Sequence, residues 1–268
     1  MPAPIVIADS ITRVGPDVAG AVVVNASHGG IYAAYLAAKL HAAAAIFNDA
    51  NVGRDRAGIA GLDYLQDFGT AAAAVGHDTA RIGDGADMMA NGVITHANPL
   101  AASLGVSPGQ SCRDAAAALR QFQPTHRELP EALEVAFLLA AERPQVWALD
   151  SASLVLPEHE HSIVITGSHG GLLGNRAETA LKYDVLGAVY NDAGIGKDAA
   201  GISRLPALDV RGIAAATVSA ISARIGDARS TYEDGIISRI NARAAAFGLR
   251  ANISAREFVA ELRRALAA

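Results

Sequence analysis

The chain has 268 residues, 51% of them hydrophobic and 18% charged, a balance that excludes a disordered chain and fits a folded one with an ample core. Its 22 Lys and Arg stand against 27 Asp and Glu, for a formal charge of −5, and no basic run occurs that could track a phosphate backbone, so nucleic acid is not an expected partner. Cys112 is the single cysteine, which rules out an internal disulfide and a Cys-rich zinc site. The opening MPAPIVIADS lacks a basic segment followed by an apolar one, and no window approaches the roughly 18 apolar residues of a membrane span. These features predict a cytoplasmic protein without a membrane partner.

In chain order, a first short apolar run ends at Asp9 and Ser10, and a second, residues 22–24, runs into Ser27, His28, Gly29 and Gly30. Apolar runs of this length bounded by Gly and polar residues read as buried strands. An Ala- and Leu-rich segment, 32–40, predicts a helix. A third strand, 45–47, ends in Asn48 and Asp49; a helix over about 58–68 follows, then a fourth apolar run, 71–75. Two more helices close the segment, the last beginning at Ser111, where Ser-x-x-Asp has the spacing of an N-cap and its N3 partner.

The same order then recurs. Residues from Ile5 align without a gap to those from Val146, a shift of 141 that pairs Asp9 with Asp150, Ser27 with Ser168 and His28 with His169. After two extra residues the shift is 143, pairing Asn48 with Asn191, Asp49 with Asp192, Asp55 with Asp198, Arg81 with Arg224 and Asp84 with Asp227. The Gly92, Ile94 and Asn98 pattern returns as Gly235, Ile237 and Asn241, and Ser254 opens the last helix as Ser111 does. Strands alternating with helices predict a tandem duplication of a mainly parallel βαβ unit, pseudo-two-fold, with helices on both faces of the sheet or sheets. The division expected is repeat 1 over 1–123, a connecting segment with a helix over 124–144 (LPEALEVAFLLAAE), and repeat 2 over 145–268.

Ligands of parallel α/β sheets sit beyond the carboxyl ends of the strands, and the repeated polar residues fall there. His28 and His169 are the candidate general bases, with Asp49 and Asp192 as the carboxylates that would orient them. Ser27, Gly29 and Gly30, with Ser168, Gly170 and Gly171, are candidate substrate contacts, the glycine amides serving a developing oxyanion. Asn48 and Asn191 belong to the same set, and Arg81 and Arg224 could clamp a carboxylate in bidentate fashion. Structural alternatives exist for each: Arg81 with Asp84 and Arg224 with Asp227 as ion pairs, Asp55 and Asp198 as helix caps, and Asn98 and Asn241 as loop-binding residues. Cys112 aligns with Ala255, which favours a structural role. His77 and His96 align with Ala220 and Arg239, so any role they have belongs to one copy.

A strand followed by His-Gly, then a strand followed by a small-residue turn, resembles the caspase-like peptidases and their CHAT relatives over two short segments. That resemblance implies a caspase-like strand order and a nucleophilic cysteine on the second strand. The corresponding places here hold Asn191, Asp192 and Ala193, or Asn48, Asp49 and Ala50, so no cysteine peptidase chemistry is implied.

The function expected is that of an enzyme, a hydrolase or else an isomerase or lyase, acting on a small carboxylate-bearing metabolite by general-base hydrolysis or proton transfer near the repeat interface. The alternatives are a non-catalytic small-anion binder and a metal-dependent hydrolase, with zinc or manganese held by His28, Asp49 and Asp9. No cofactor is expected otherwise, since neither GxGxxG nor GxxxxGK[ST] occurs. Partners would be a small-molecule substrate and, on base rates, further copies in a homo-oligomer.

Overall fold

A computed structural model describes residues 2–125 and 127–267. The chain is α/β, with two mainly parallel mixed sheets of five and six strands. It divides into two compact units: Met1–Val52, Arg56–Leu133 and Gly196–Ala200 form the first, and Gly53–Asp55, Glu134–Ile195 and Gly201–Ala268 the second. Two similar sheet units are what a duplication would leave. The division falls at 133/134, inside the segment read as a connection, and each unit takes in a short loop from the other sequence repeat.

In unit 1 the order along the chain is β1 (Ile5–Ala8), β2 (Val22–His28), α1 (Ile31–Lys39), β3 (Ala44–Asn48), α2 (Ala60–Asp67), β4 (Ala71–Val75), α3 (Gly85–Asn91), β5 (Ile94–Ala97), α4 (Pro99–Ser103) and α5 (Cys112–Leu119). The strands lie side by side in that same sequence, β1 to β4 parallel and β5 antiparallel on β4. β5 was not among the four strands expected. At four residues it carries too little periodicity to separate from the helices around it.

Alternation along each strand sends side chains to two separate cores. Val22, Val24, Ile46, Ala73 and Val75 meet Met88, Leu119 and Cys112 on the face of α3 and α5, while Val23, Ala45, Phe47 and Ala74 meet Ala34, Ala37, Leu62 and Leu65 on the face of α1 and α2. The run AAAAV of β4 is wholly buried. Alanine favours helix intrinsically, but a strand covered on both faces needs small side chains, and burial decides. Cys112 lies in this packing, with burial pushing its thiol up to about 12, so it stays an inert apolar group. The Ser111 side chain accepts from the Asp114 N–H, as the capping pattern predicts.

Unit 2 runs β6 (Ala136–Ala140), β7 (Val146–Leu149), β8 (Ile163–His169), β9 (Gly187–Asn191), α6 (Arg204–Val210), β10 (Ala214–Val218), α7 (Ala228–Glu233), β11 (Ile237–Ile240), α8 (Ala242–Ala246) and α9 (Ala255–Ala267). Its sheet order is β11-β10-β9-β8-β7-β6. The helix expected within 124–144 is not there. Residues 136–140 are instead a strand, antiparallel on β7, with Leu139 and Ala140 packed on the core. Leu and Ala favoured helix, and the open hydrogen-bonding edge of β7 overrode them.

A second departure distinguishes the copies. α1 has no α-helical counterpart in unit 2, where the corresponding stretch holds only a short 3-10 turn at Ala177–Thr179. In unit 1, Gly61 lets α2 approach α1, since an added Cβ would lie 2.6 Å from both the Ala34 Cβ and the Gly30 carbonyl oxygen. The aligned residue in unit 2 is Arg204, which is buried. It donates to the Gly171 carbonyl at 2.9 Å and the Ala180 carbonyl at 2.7 Å, with its guanidinium over the Tyr190 ring. A charged side chain holds by hydrogen bonds what helix packing holds in unit 1.

Candidate active site

The loops after β3 and β9 take the same unusual path. Ala50, Asn51, Val52 and Gly53 have φ of 46°, 63°, 60° and 70°, and Ala193, Gly194, Ile195 and Gly196 have 48°, 76°, 65° and 67°. Each left-handed non-glycine residue costs on the order of 1–2 kcal/mol, and the β-branched Val52 and Ile195 are the least suited to it. The Asn-Asp pair supplies the compensation. Asn48 Oδ1 accepts from the Ala50 N–H and its amide donates to the Ala80 carbonyl, while Asp49 Oδ1 accepts from the Asn51 N–H. Asn191 and Asp192 repeat these bonds with Ala193, Ala223 and Gly194. Repetition of Asn-Asp is thus accounted for by the turn.

The other repeated candidates are also occupied within their own units. Ser27 Oγ accepts from the Ile11 N–H and Ser168 Oγ from the Ala152 N–H, fixing the turns after β1 and β7. The Gly29 N–H is bonded to the Asn48 carbonyl and the Gly30 N–H to His28 Nδ1; Gly170 and Gly171 are bonded likewise to Asn191 and His169. Those four amides therefore point at protein acceptors rather than into an oxyanion hole. Arg81 contacts Asp84 at 2.9 Å, Asp198 at 3.0 Å and Asp87 at 3.2 Å, all in unit 1. Arg224 contacts Asp227 at 3.0 Å and Asp55 at 3.1 Å, in unit 2. Both arginines have carboxylates already, as the ion-pair alternative expects. Asp55 and Asp198 are left-handed residues serving those pairs rather than helix caps, and the caps are instead Asp84, Asp227, Asn98 and Asn241. Asp9 is likewise engaged, accepting from the Gly85 N–H.

His28 and Asp49 do not meet. His28 Nδ1 accepts the Gly30 N–H at 3.2 Å. A neutral imidazole whose Nδ1 accepts carries its proton on Nε2, so the ring presents a donor and no free lone pair. Burial lowers its pKa to about 4. Between about 4 and the unfolded value near 6.5 the unfolded chain binds the extra proton, so stability falls as pH drops through that window. The loss is at most roughly 3 kcal/mol. Chemical denaturation at pH 7 and pH 4.5 should show a smaller loss for His28→Gln than for the parent; equal losses would show that His28 contributes nothing to the acid sensitivity.

The histidine that Asp49 does hold is His77, two residues beyond β4. Its Nδ1 lies 3.0 Å from Asp49 Oδ1, and its backbone N–H donates to the same oxygen at 2.9 Å. Asp49 Oδ2 accepts from the Thr95 hydroxyl at 3.0 Å, and Thr95 Oγ1 lies 3.0 Å from His96 Nδ1. The Asp49 side chain is 5% exposed and that of His77 23%. Burial works to raise the Asp49 pKa, but bonds from the His77 ring, the His77 N–H and the Asn51 N–H outweigh it and leave the pKa lowered. An ionised Asp49 only accepts, so His77 Nδ1 carries the hydrogen and its Nε2 keeps a lone pair. The His77 carbonyl accepts from the Lys197 N–H at 2.8 Å, tying this corner to the 196–200 segment of unit 1. In unit 2 the aligned Asp192 bonds the Ala220 and Gly194 N–H groups, and alanine stands in place of the ring.

His77 carries no repeat signal, and what marks it in the sequence is its place just beyond the strand that neighbours the one leading into Asp49. Among the described residues no group of three or more His, Cys, Asp or Glu is arranged to hold a metal ion, and no helix is long and apolar enough to cross a membrane. Compared with protein-family models, curated proteins and solved structures, the chain gives no match.

Proposed function

We propose that the protein is an enzyme working by general-base hydrolysis or proton transfer on a small molecule, with His77 of unit 1 as the base and Asp49 as the carboxylate that orients it. What supports this is one contact: a buried carboxylate 3.0 Å from Nδ1 of a partly exposed histidine at the carboxyl end of a parallel sheet. Such a carboxylate fixes the tautomer and stabilises the imidazolium formed as a proton is taken. Unit 2 keeps the turn and lacks the ring, so it acts as scaffold. Because the guanidinium groups of Arg81 and Arg224 are already paired, the proposal does not include an arginine clamp on a substrate carboxylate.

The experiment is a turnover screen over small amides, esters and hydroxy acids with the parent, Asp49→Asn and Asp192→Asn. Asp49→Asn should lower kcat by about 10²–10⁴ on whichever substrate is turned over, the usual contribution of general-base catalysis. Asp192→Asn makes the same change of charge in the corresponding turn, where Oδ1 accepts from the Gly194 and Ala220 N–H groups and alanine replaces the histidine, and should leave kcat near the parent's. Equal effects of the two substitutions would point to a folding defect and against the assignment.

A further inference from the structure

Asp49 is an acceptor at both oxygens, so the single hydroxyl hydrogen of Thr95 lies toward Oδ2, at 3.0 Å, in preference to the Ala74 carbonyl at 3.3 Å. Thr95 Oγ1 then has only lone pairs left for His96, and His96 Nδ1 must carry the hydrogen of their 3.0 Å contact. Both imidazoles are therefore held as Nδ1–H tautomers by the same carboxylate, His77 directly and His96 through a hydroxyl. Each keeps its Nε2 lone pair. His28 and His169, whose Nδ1 atoms accept backbone N–H groups, are held in the opposite form. The residues building the chain are special to unit 1, since Thr95, His96 and His77 align with Ser238, Arg239 and Ala220, and Ser238 pairs with Thr217 instead.

We infer that His96 is a second proton acceptor of this site, coupled to His77 through Thr95 and Asp49. Resting on the assignment of His77 as base, it extends the site from one imidazole to two and fits a substrate from which one proton is removed and at which another is handled. Because both rings draw on one carboxylate, weakening Asp49 affects both, whereas breaking the Thr95 step affects His96 alone.

The two can be separated with diethyl pyrocarbonate, which acylates the lone-pair nitrogen of neutral histidine, the modified positions being located by peptide mass mapping. In the parent protein at neutral pH, His77 and His96 should be modified faster than His28 and His169. Thr95→Val should slow His96 by about fivefold, the weight of one ordinary hydrogen bond, and leave His77 unchanged. Thr95→Ser, the residue that unit 2 carries at this position, should restore the rate. Asp49→Asn should slow both rings. If Asp49→Asn slows His77 while His96 keeps its rate in every variant, the coupling is refuted and His77 still stands as the base. If His77 reacts no faster than His28, the base assignment falls too.

Discussion

Replacing His77 by Ala is expected to lower turnover by about 10²–10⁴ while leaving the melting temperature close to the parent's. The size follows from the role: a positioned base removes a proton in the transition state, and without it solvent must do so. The small effect on stability follows from the structure. The ring is 23% exposed, its backbone N–H bond to Asp49 is independent of the side chain, and the second unit already uses alanine at the equivalent position, where Ala220 makes the same N–H bond to Asp192. Ala220→His offers the reciprocal test. Asp192 has the geometry of Asp49, so the new ring should be able to reach it, but no activity gain is expected where Arg239 stands in place of His96. A His77→Ala variant that retained full turnover on an identified substrate would end the assignment.

A large effect on folding is expected at Gly58. A Cβ there would collide with the Asp49 carbonyl oxygen and lie 3.0 Å from that of Val52, so the left-handed turn would have to open. That turn is already strained at Ala50, Asn51 and Val52 and is held by the Val52 N–H to the Asp49 carbonyl and the Gly58 N–H to the Val52 carbonyl. Gly58→Ala should destabilise by about 3 kcal/mol or more, at the upper end of overpacking effects, because the obstacle is backbone. Gly201→Ala meets the Asp192 carbonyl in the same way and should cost a similar amount. The pair separates stability from function. At a temperature where both variants remain folded, only Gly58→Ala moves Asp49, and only it should depress turnover. Melting curves that left both variants at the parent's stability would show that the turn is softer than its geometry implies.

These two predictions reflect a division of labour that the sequence showed only in part. The two similar sheet units, the parallel strands β1–β4 and β7–β10, the Ser111 cap and the recurrence of Asn48-Asp49 as Asn191-Asp192 could all be read from residue order. Repetition, however, selects for whatever the fold needs twice: the braces of a strained turn, the serines under β1 and β7, the glycines that receive α2 and α6. Those residues were the first choice as chemical candidates, and the structure shows each bonded inside its own unit. A residue present in one copy leaves no repeat signal, so the comparison of copies singles out Asp49 and not His77, Thr95 and His96, which bond to it directly or in sequence. The local errors have simpler causes. Residues 136–140 looked helical because propensity is local and the bare edge of β7 is not. β5 and β11 are too short to declare a period.

The most direct test is the protonation pattern of the imidazole rings, read by long-range proton–nitrogen correlation at neutral pH on protein labelled at histidine. His77 should carry its hydrogen on Nδ1 with Nε2 unprotonated, and His28 in the same molecule should show the reverse. A spectrum placing the His77 hydrogen on Nε2 would mean that Asp49 does not hold the ring, and the proposed base would have no lone pair to offer.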